Sequence, residues 1–426
     1  MDRVLANFWI LIRGRGAAAI MAFGATALMA RSLGPAEFGM VVLMHTYAML
    51  IRALFDFGSM DAIVRYGVPA HDASDNHTLG KLIKVCRRID KQASIAATLL
   101  ALIAAPFAGP AMGMDSMHVM LLMAYSLVLL TASIGSATGI LRLYNRYDII
   151  GLHLTIGPTI RFFGVIVAWW VSAPIQIFIG IWASAYVTEN IYISWQAKHK
   201  YHNQIKKMIN GISLKESSLN DFNGLRNFLW VSYWQSNLDL LPKHITTLLV
   251  GHLLGPAEAG LMRLANELSS ALTKPAQLIR QVVFVDLTRS WNQASNAFNL
   301  IAYRTAILGG TVGLLFVLIS YYYGDYLLGG LLGNQYIAAK GVLTLMLLAT
   351  SLDLTSSPLR SALYAMGKEY SALRLHILST VIYLVMFVFL TPQFGLIGAG
   401  LAASSASALT LTGMLLLMHN YNRPVM

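Results

Sequence analysis

In this chain of 426 residues Asp, Glu, Lys and Arg make up only 12%, against roughly 25% in an ordinary soluble domain. Apolar residues make up 56% and the mean hydropathy is +0.60, so a charged soluble surface is excluded. The net charge of +12 then belongs to the connectors of a membrane protein, not to a nucleic-acid-binding face.

A bilayer core takes about 20 apolar residues per helix. About twelve such stretches follow one another along the chain. Spans one to six are predicted at about 8–31, 38–60, 93–112, 118–141, a fifth ending near 172, and 175–196. A polar segment, 61–91, separates spans two and three, and a short connector, 142–148, separates four and five. Arg3, Arg13 and Arg15 bracket the first stretch without a small-residue cleavage site, which predicts a retained span. The longest polar stretch, 198–227, carries Lys198, Lys200, Lys206, Lys207, Lys215 and Arg226. It is the predicted linker. Spans seven to twelve follow at about 228–253, 257–284, 300–323, 337–360, 370–390 and 394–419. The expected organisation is all-α and integral to the membrane, with a six-helix bundle at 1–197, a cytoplasmic linker at 198–227 and a second bundle at 228–426. One cysteine, Cys86, leaves no internal disulfide.

Connector charge alternates. After the even-numbered spans stand Lys81, Lys84, Arg87, Arg88, Arg142, Arg146, the linker lysines, Arg289 and Lys368. After the odd-numbered spans stand Glu37, Asp115, Glu258 and Asp325. The positive-inside rule therefore puts both termini in the cytoplasm.

The stretch Leu33-Gly34-Pro35-Ala36-Glu37-Phe38-Gly39 returns as Leu254-Gly255-Pro256-Ala257-Glu258-Ala259-Gly260. Locally this reads as a tight hairpin. Gly ends one helix, Pro opens the next, and Glu favours its N-terminal dipole. A weaker echo pairs Tyr147 and His153 with Tyr370 and His376. Six spans per half is an even number, so the halves are parallel repeats, an arrangement that points to a transporter with a central cavity.

An ionisable residue in mid-span costs about 2.5–3.5 kcal/mol on insertion scales, so it faces a cavity or a partner. The spans hold Arg13, Arg15, Arg52, Asp56, Arg161, Glu189, Asp239, Lys243, Arg263, Glu267, Lys274 and Asp353. Local explanations compete with functional ones. Asp239 with Lys243, and Arg263 with Glu267, have the spacing of helix neighbours, and Arg13, Arg15, Lys274 and Arg280 are placed where they can snorkel. Arg52 and Arg161 lie deeper. Arg52 follows Glu37 by nearly the same interval as Lys274 follows Glu258, so both halves carry a cation at similar depth. A cavity lined by Arg and Lys suits an anion. Pro158, Pro242, Pro275 and Pro358 are candidate bends. No phosphate-binding Gly-Lys loop, His-Glu metal motif or Cys cluster occurs, and no cofactor is expected.

The run from Ala30 to Gly39, followed by Phe55-Asp56-Phe57-Gly58, resembles the opening of Wzx-like O-antigen and exopolysaccharide flippases. These belong to the multidrug/oligosaccharidyl-lipid/polysaccharide superfamily. The resemblance is firmest over 8–70, and the repeat extends it along the chain. It implies a transporter, not an enzyme, of the bacterial inner membrane that moves undecaprenyl-pyrophosphate-linked oligosaccharide from the cytoplasmic to the periplasmic leaflet. Ion gradients would drive it. Membrane lipids would surround it, and glycan polymerase and glycosyltransferases are implied partners. The candidate substrate-binding residues are Arg13, Arg15, Arg52, Arg161, Lys243, Arg263 and Lys274. The candidates for ion coupling are Asp56, Asp239 and Glu267. The competing reading is a cation-coupled multidrug antiporter of the same superfamily, against which the acid-free first span argues. A membrane glycan polymerase, ligase or acyltransferase would need a longer outer loop.

Overall fold

The structure is a computed structural model that describes residues 2–200, 219–293 and 297–421. Among these it is helical throughout, with no strand. Helix α1 (Asp2–Leu54) holds spans one and two, and α2 (Ser59–Asp72) is a short helix after them. Then come α3 (Asn76–Ala111), α4 (Ser116–Ser126), α5 (Gly135–Leu143), α6 (Tyr147–Trp170) and α7 (Ile175–Lys200). Beyond the linker follow α8 (Leu225–Leu253), α9 (Pro256–Asn292), α10 (Ala297–Leu331), α11 (Lys340–Ala365), α12 (Glu369–Phe394) and α13 (Leu396–Tyr421). Among the described residues seven stretches are long and apolar enough to cross a membrane, and two of them, Ala18–Asp72 and Glu369–Asn420, contain two spans each. Helices α7, α8 and α9, at spans six to eight, are of spanning length and more polar, and they carry half of the charged residues placed within spans.

Two compact units are present. One comprises Met1–Leu33 and Met40–Ile245; the other comprises Gly34–Gly39 and Thr246–Met426. The first unit therefore includes most of α8. A buried cluster explains this: Phe222, Leu225 and Leu229 pack with Ala62, Ile63, Leu79, Leu82, Ile83, Cys86, Ile140 and Leu143. Phe57 stacks on Tyr233, with ring centroids 5.5 Å apart, and Gly58 turns at φ +70° against Ser232. The second unit has its own core, in which Leu287, Phe298 and Ala302 meet Leu359, Ala362, Leu363 and Met414.

Both repeated hairpins take the expected form. Gly34 (φ +74°, ψ 171°) breaks α1 into two limbs, with Pro35 opening the second. Gly255 (φ +105°, ψ 173°) caps α9, with Pro256 at its start and Glu258 in its first turn. Positive φ at these points requires glycine. The hairpins also touch within the second unit. A Cβ on Gly39 would collide with the Pro256 carbonyl, and one on Gly260 would lie 2.9 Å from the Phe38 ring and 3.1 Å from the Pro35 carbonyl. Phe38 is fully buried and meets Tyr336 edge-on.

Three features differ from the sequence expectation. The polar segment 61–91 is helical: it forms most of α2 and the first part of α3. Leu79, Leu82, Ile83 and Cys86 recur at helical spacing and are all fully buried, so a packed face decides the structure despite the polar composition. Span four is not continuous. After α4 the chain makes a 3-10 turn, Leu127–Thr131, loses helical form at 132–134 and resumes as α5. Finally, Pro158, Pro242 and Pro358 lie inside uninterrupted helices, so the break in the first bundle falls at a proline-free site.

Candidate functional site

In the first unit, polar side chains from several spans converge. Helix α6 presents His153, Gly157 and Arg161 at intervals of four residues, one helical face. Helix α7 presents Trp182, Tyr186, Glu189 and Asn190 on a matching face. The guanidinium of Arg161 lies 5.5 Å from the centre of the Trp182 ring, within cation–π range. His153 is buried, and its Nδ1 lies 2.9 Å from the main-chain oxygen of Glu189. The Glu189 carboxylate lies directly against Gly157, where any Cβ would collide with its Oε2. The same Cβ position is 3.8 Å from an Arg161 guanidinium nitrogen. Glu189 thus rests on α6 beside Arg161.

Arg52, in the last turn of α1, completes the group. It interacts electrostatically with Tyr186, Asp56 and Glu189, while Glu189 interacts with both Arg161 and Arg52. Tyr125 of α4 lies within the field of Arg161, Tyr186 and Glu189, and its hydroxyl is 2.8 Å from His45 Nδ1. Two guanidiniums, two tyrosines, two histidines and one span carboxylate therefore share one region of the bundle. The break in span four adjoins it. Asn190 donates its amide N–H to Thr131 Oγ1 at 3.3 Å, and the Ser136 backbone N–H donates to Asp90 Oδ2 at 2.6 Å. Asp90 so caps α5 where the helix restarts.

The other expected site residues are placed as follows. Asp56 is exposed beyond the end of α1, and its Oδ1 accepts the Gly58 N–H at 3.2 Å, closing the turn that seats Phe57 and Gly58. In the second unit Arg263 and Glu267 form the anticipated helix-neighbour pair, Nε to Oε2, at 3.6 Å. Lys243 is exposed on α8. The side chains of Arg13, Arg15, Asp239 and Lys274, and most of the linker, lie outside the described residues. Arg52 and Arg161 are thus the two expected binding residues that the structure brings together. Among the described residues no group of His, Cys, Asp and Glu is arranged to hold a metal ion.

A family model described as "Polysaccharide biosynthesis protein" matches residues 4–285. The chain belongs to this family. A curated relative of this polysaccharide biosynthesis protein, the inner membrane protein YghQ of Escherichia coli K12, is 24% identical over 326 residues, which is 75% of this chain and 90% of that protein. Solved structures share the fold. The lipid II flippase MurJ in an inward closed conformation superposes with a TM-score of 0.72 at 14% identity, covering 96% of this chain and 87% of MurJ. An inward-facing multidrug resistance MATE transporter gives 0.68 at 14% identity, covering 95% and 94%. The Vibrio cholerae MATE transporter VcmN gives 0.61 at 13%, covering 99% and 97%. The polysaccharide biosynthesis chain is therefore a multi-pass membrane protein with the fold of these transporters.

Within this family member, sequence reasoning noted Glu189 as an acid in span six and gave it no part in the site. It noted His153 only as part of the internal echo, and passed over Tyr186, Asn190 and Asp90. A signal was present: the four-residue spacing of His153, Gly157 and Arg161, and of Trp182, Tyr186 and Asn190, draws a polar stripe along two otherwise apolar spans.

Proposed function

We propose that this protein flips a lipid-linked oligosaccharide, with undecaprenyl pyrophosphate as the carrier, from the cytoplasmic to the periplasmic leaflet of the bacterial inner membrane. The halves 1–197 and 228–426 would alternate access to the site, coupled to an ion gradient, with both termini and the linker 198–227 in the cytoplasm. Glycosyltransferases would supply the substrate and a polymerase would consume it. The observation that carries the reading is the meeting of Arg52 and Arg161 in one bundle, where Glu189 acts on both and the exposed Asp56 acts on Arg52. A span region with excess guanidinium suits phosphate oxygens, which Arg binds in bidentate fashion. Arg13, Arg15, Lys243, Arg263 and Lys274 would extend it, and Asp56, Asp239 and Glu267 would serve coupling. Family membership supports a role in making polysaccharide, and the likeness to MurJ, described as a lipid II flippase, supports a lipid-linked substrate.

The test is transport in proteoliposomes loaded with fluorescently tagged undecaprenyl-pyrophosphoryl oligosaccharide. Wild-type protein should move the label between leaflets. Arg52→Ala and Arg161→Ala should each slow it about tenfold or more, the scale of one lost charge-assisted hydrogen bond, while the protein stays inserted and monodisperse. Label that moves equally fast in both variants would remove the cationic site from the mechanism. The multidrug antiporter reading draws on the MATE fold likeness; efflux of a cationic dye by the wild type, with no lipid movement, would favour it.

A further inference from the structure

Glu189 stands between two arginines, yet closes a contact ion pair with neither. It interacts with both Arg161 and Arg52 through space, and Gly157 lets its carboxylate lie flat on α6. Around it, hydrogen-bonding capacity is unspent. Arg161 Nε is buried without a hydrogen-bond partner. The Tyr186 hydroxyl, only 3% exposed, makes no well-formed hydrogen bond and has just the Asn190 side chain beside it, whose amide N–H donates to Thr131. Buried polar groups are nearly always paired, so the free Arg161 Nε and the loosely held Tyr186 hydroxyl mark a place for an acceptor. Within the bundle two guanidiniums meet one carboxylate, Glu189; the second acid acting on Arg52, Asp56, is exposed and its charge is screened by solvent, so positive charge is in excess inside the bundle, which repels a metal ion and favours an anion. The remaining charged or titratable groups in the region are His153 on α6, Tyr125 on α4 with His45 of α1 against its hydroxyl, and Asp56 past the end of α1.

We propose that Glu189 is the internal counter-ion of a phosphate-type anion site formed by Arg52, Arg161 and the Tyr186 hydroxyl, and that the anionic group of the substrate binds by displacing it. The proposal rests on the flippase reading and adds a specific device to it. A carboxylate that partly neutralises the guanidiniums keeps the site from holding its anion too firmly. When the anion enters, the carboxylate yields; when the anion leaves, the carboxylate returns and aids release. Glu189 is on this account a positioning residue whose charge sets the balance between binding and turnover. Gly157 is part of the same device, because a methyl group there would push the carboxylate off the helix.

The experiment uses the full-length protein in nanodiscs, titrated separately with inorganic pyrophosphate and with undecaprenyl pyrophosphate. Glu189→Gln and Gly157→Ala should each tighten binding of inorganic pyrophosphate roughly fivefold or more, the lower range of coupling between competing groups. Arg161→Gln should weaken it. In the transport assay Glu189→Gln should lower KM and kcat together. A residue needed only for packing would not tighten binding when removed. Unchanged or weaker binding in both Glu189→Gln and Gly157→Ala, each folded and monodisperse, overturns the proposal. Undecaprenyl pyrophosphate that binds no better than inorganic pyrophosphate would refute the lipid-carrier reading, while tightened inorganic binding in the two variants would still uphold the role of Glu189.

Discussion

A glycine in mid-helix weakens the helix by about 0.5–1 kcal/mol relative to alanine, so Gly157 has to be explained by what its missing side chain admits. It admits the Glu189 carboxylate. Single residues also fix helix ends outside the membrane. The Asp75 carboxylate caps α3 by accepting the Thr78 N–H at 3.0 Å, and hydrogen bonds from Thr78, side chain first, hold its carboxyl below the usual 3.8. A lowered folded value contributes stability above the unfolded value and loses it as pH falls through the folded one. Asp75→Ala should therefore speed amide exchange in the first turn of α3 at neutral pH. The difference from wild type should vanish in acid below pH 3.8; a difference that persists there would assign the effect to another contact. At this scale the sequence was informative about which charges are costly, so Arg52 and Arg161 stood out. It did not reveal what pairs with them, since that depends on how α6 and α7 turn toward each other. Asp56 shows the converse. It stands four residues after Arg52, the spacing of a helix pair, but α1 ends at Leu54, and the carboxylate accepts the backbone N–H of Gly58.

Between elements, glycine positions set how near two helices come. Gly39 lies against the Pro256 carbonyl so closely that a Cβ has no room, whereas a Cβ on Gly260 would meet the Phe38 ring at 2.9 Å and the Pro35 carbonyl at 3.1 Å. A ring can shift more readily than main chain. Gly39→Ala should thus lower stability by more than Gly260→Ala, within about 1–3 kcal/mol for overpacking, read as the thermal midpoint in detergent. Equal midpoints would show that the hairpins do not rely on this approach. Most helices were legible from apolar length alone. The helical start of α3 is hidden by its polar composition, beneath which Leu79, Leu82, Ile83 and Cys86 form a buried face at helical spacing. The break in span four was hidden because its sequence carries no proline there. It is held by partners on other helices, Asn190 and Asp90, which a reading of one span cannot supply.

For the whole molecule the connector charges make the firmest statement. Lys and Arg gather after alternate spans, the pattern from which we infer an even number of crossings with both termini in the cytoplasm. Protease added to right-side-out vesicles should leave 198–227 intact and should cut it in inverted ones; cleavage from outside would reverse the orientation. One short motif occurs twice, which marks two halves in the sequence; in the packing, α8 up to Ile245 belongs with the first unit. That motif has one more consequence. Its two copies meet unequally: Gly39 lies on the Pro256 main chain, while Gly260 faces the Phe38 ring as well as the Pro35 carbonyl. A side chain added to the first copy therefore has to move backbone in the second, whereas one added to the second can be absorbed in part by a ring of the first. The two hairpins are alike in sequence and unlike in tolerance.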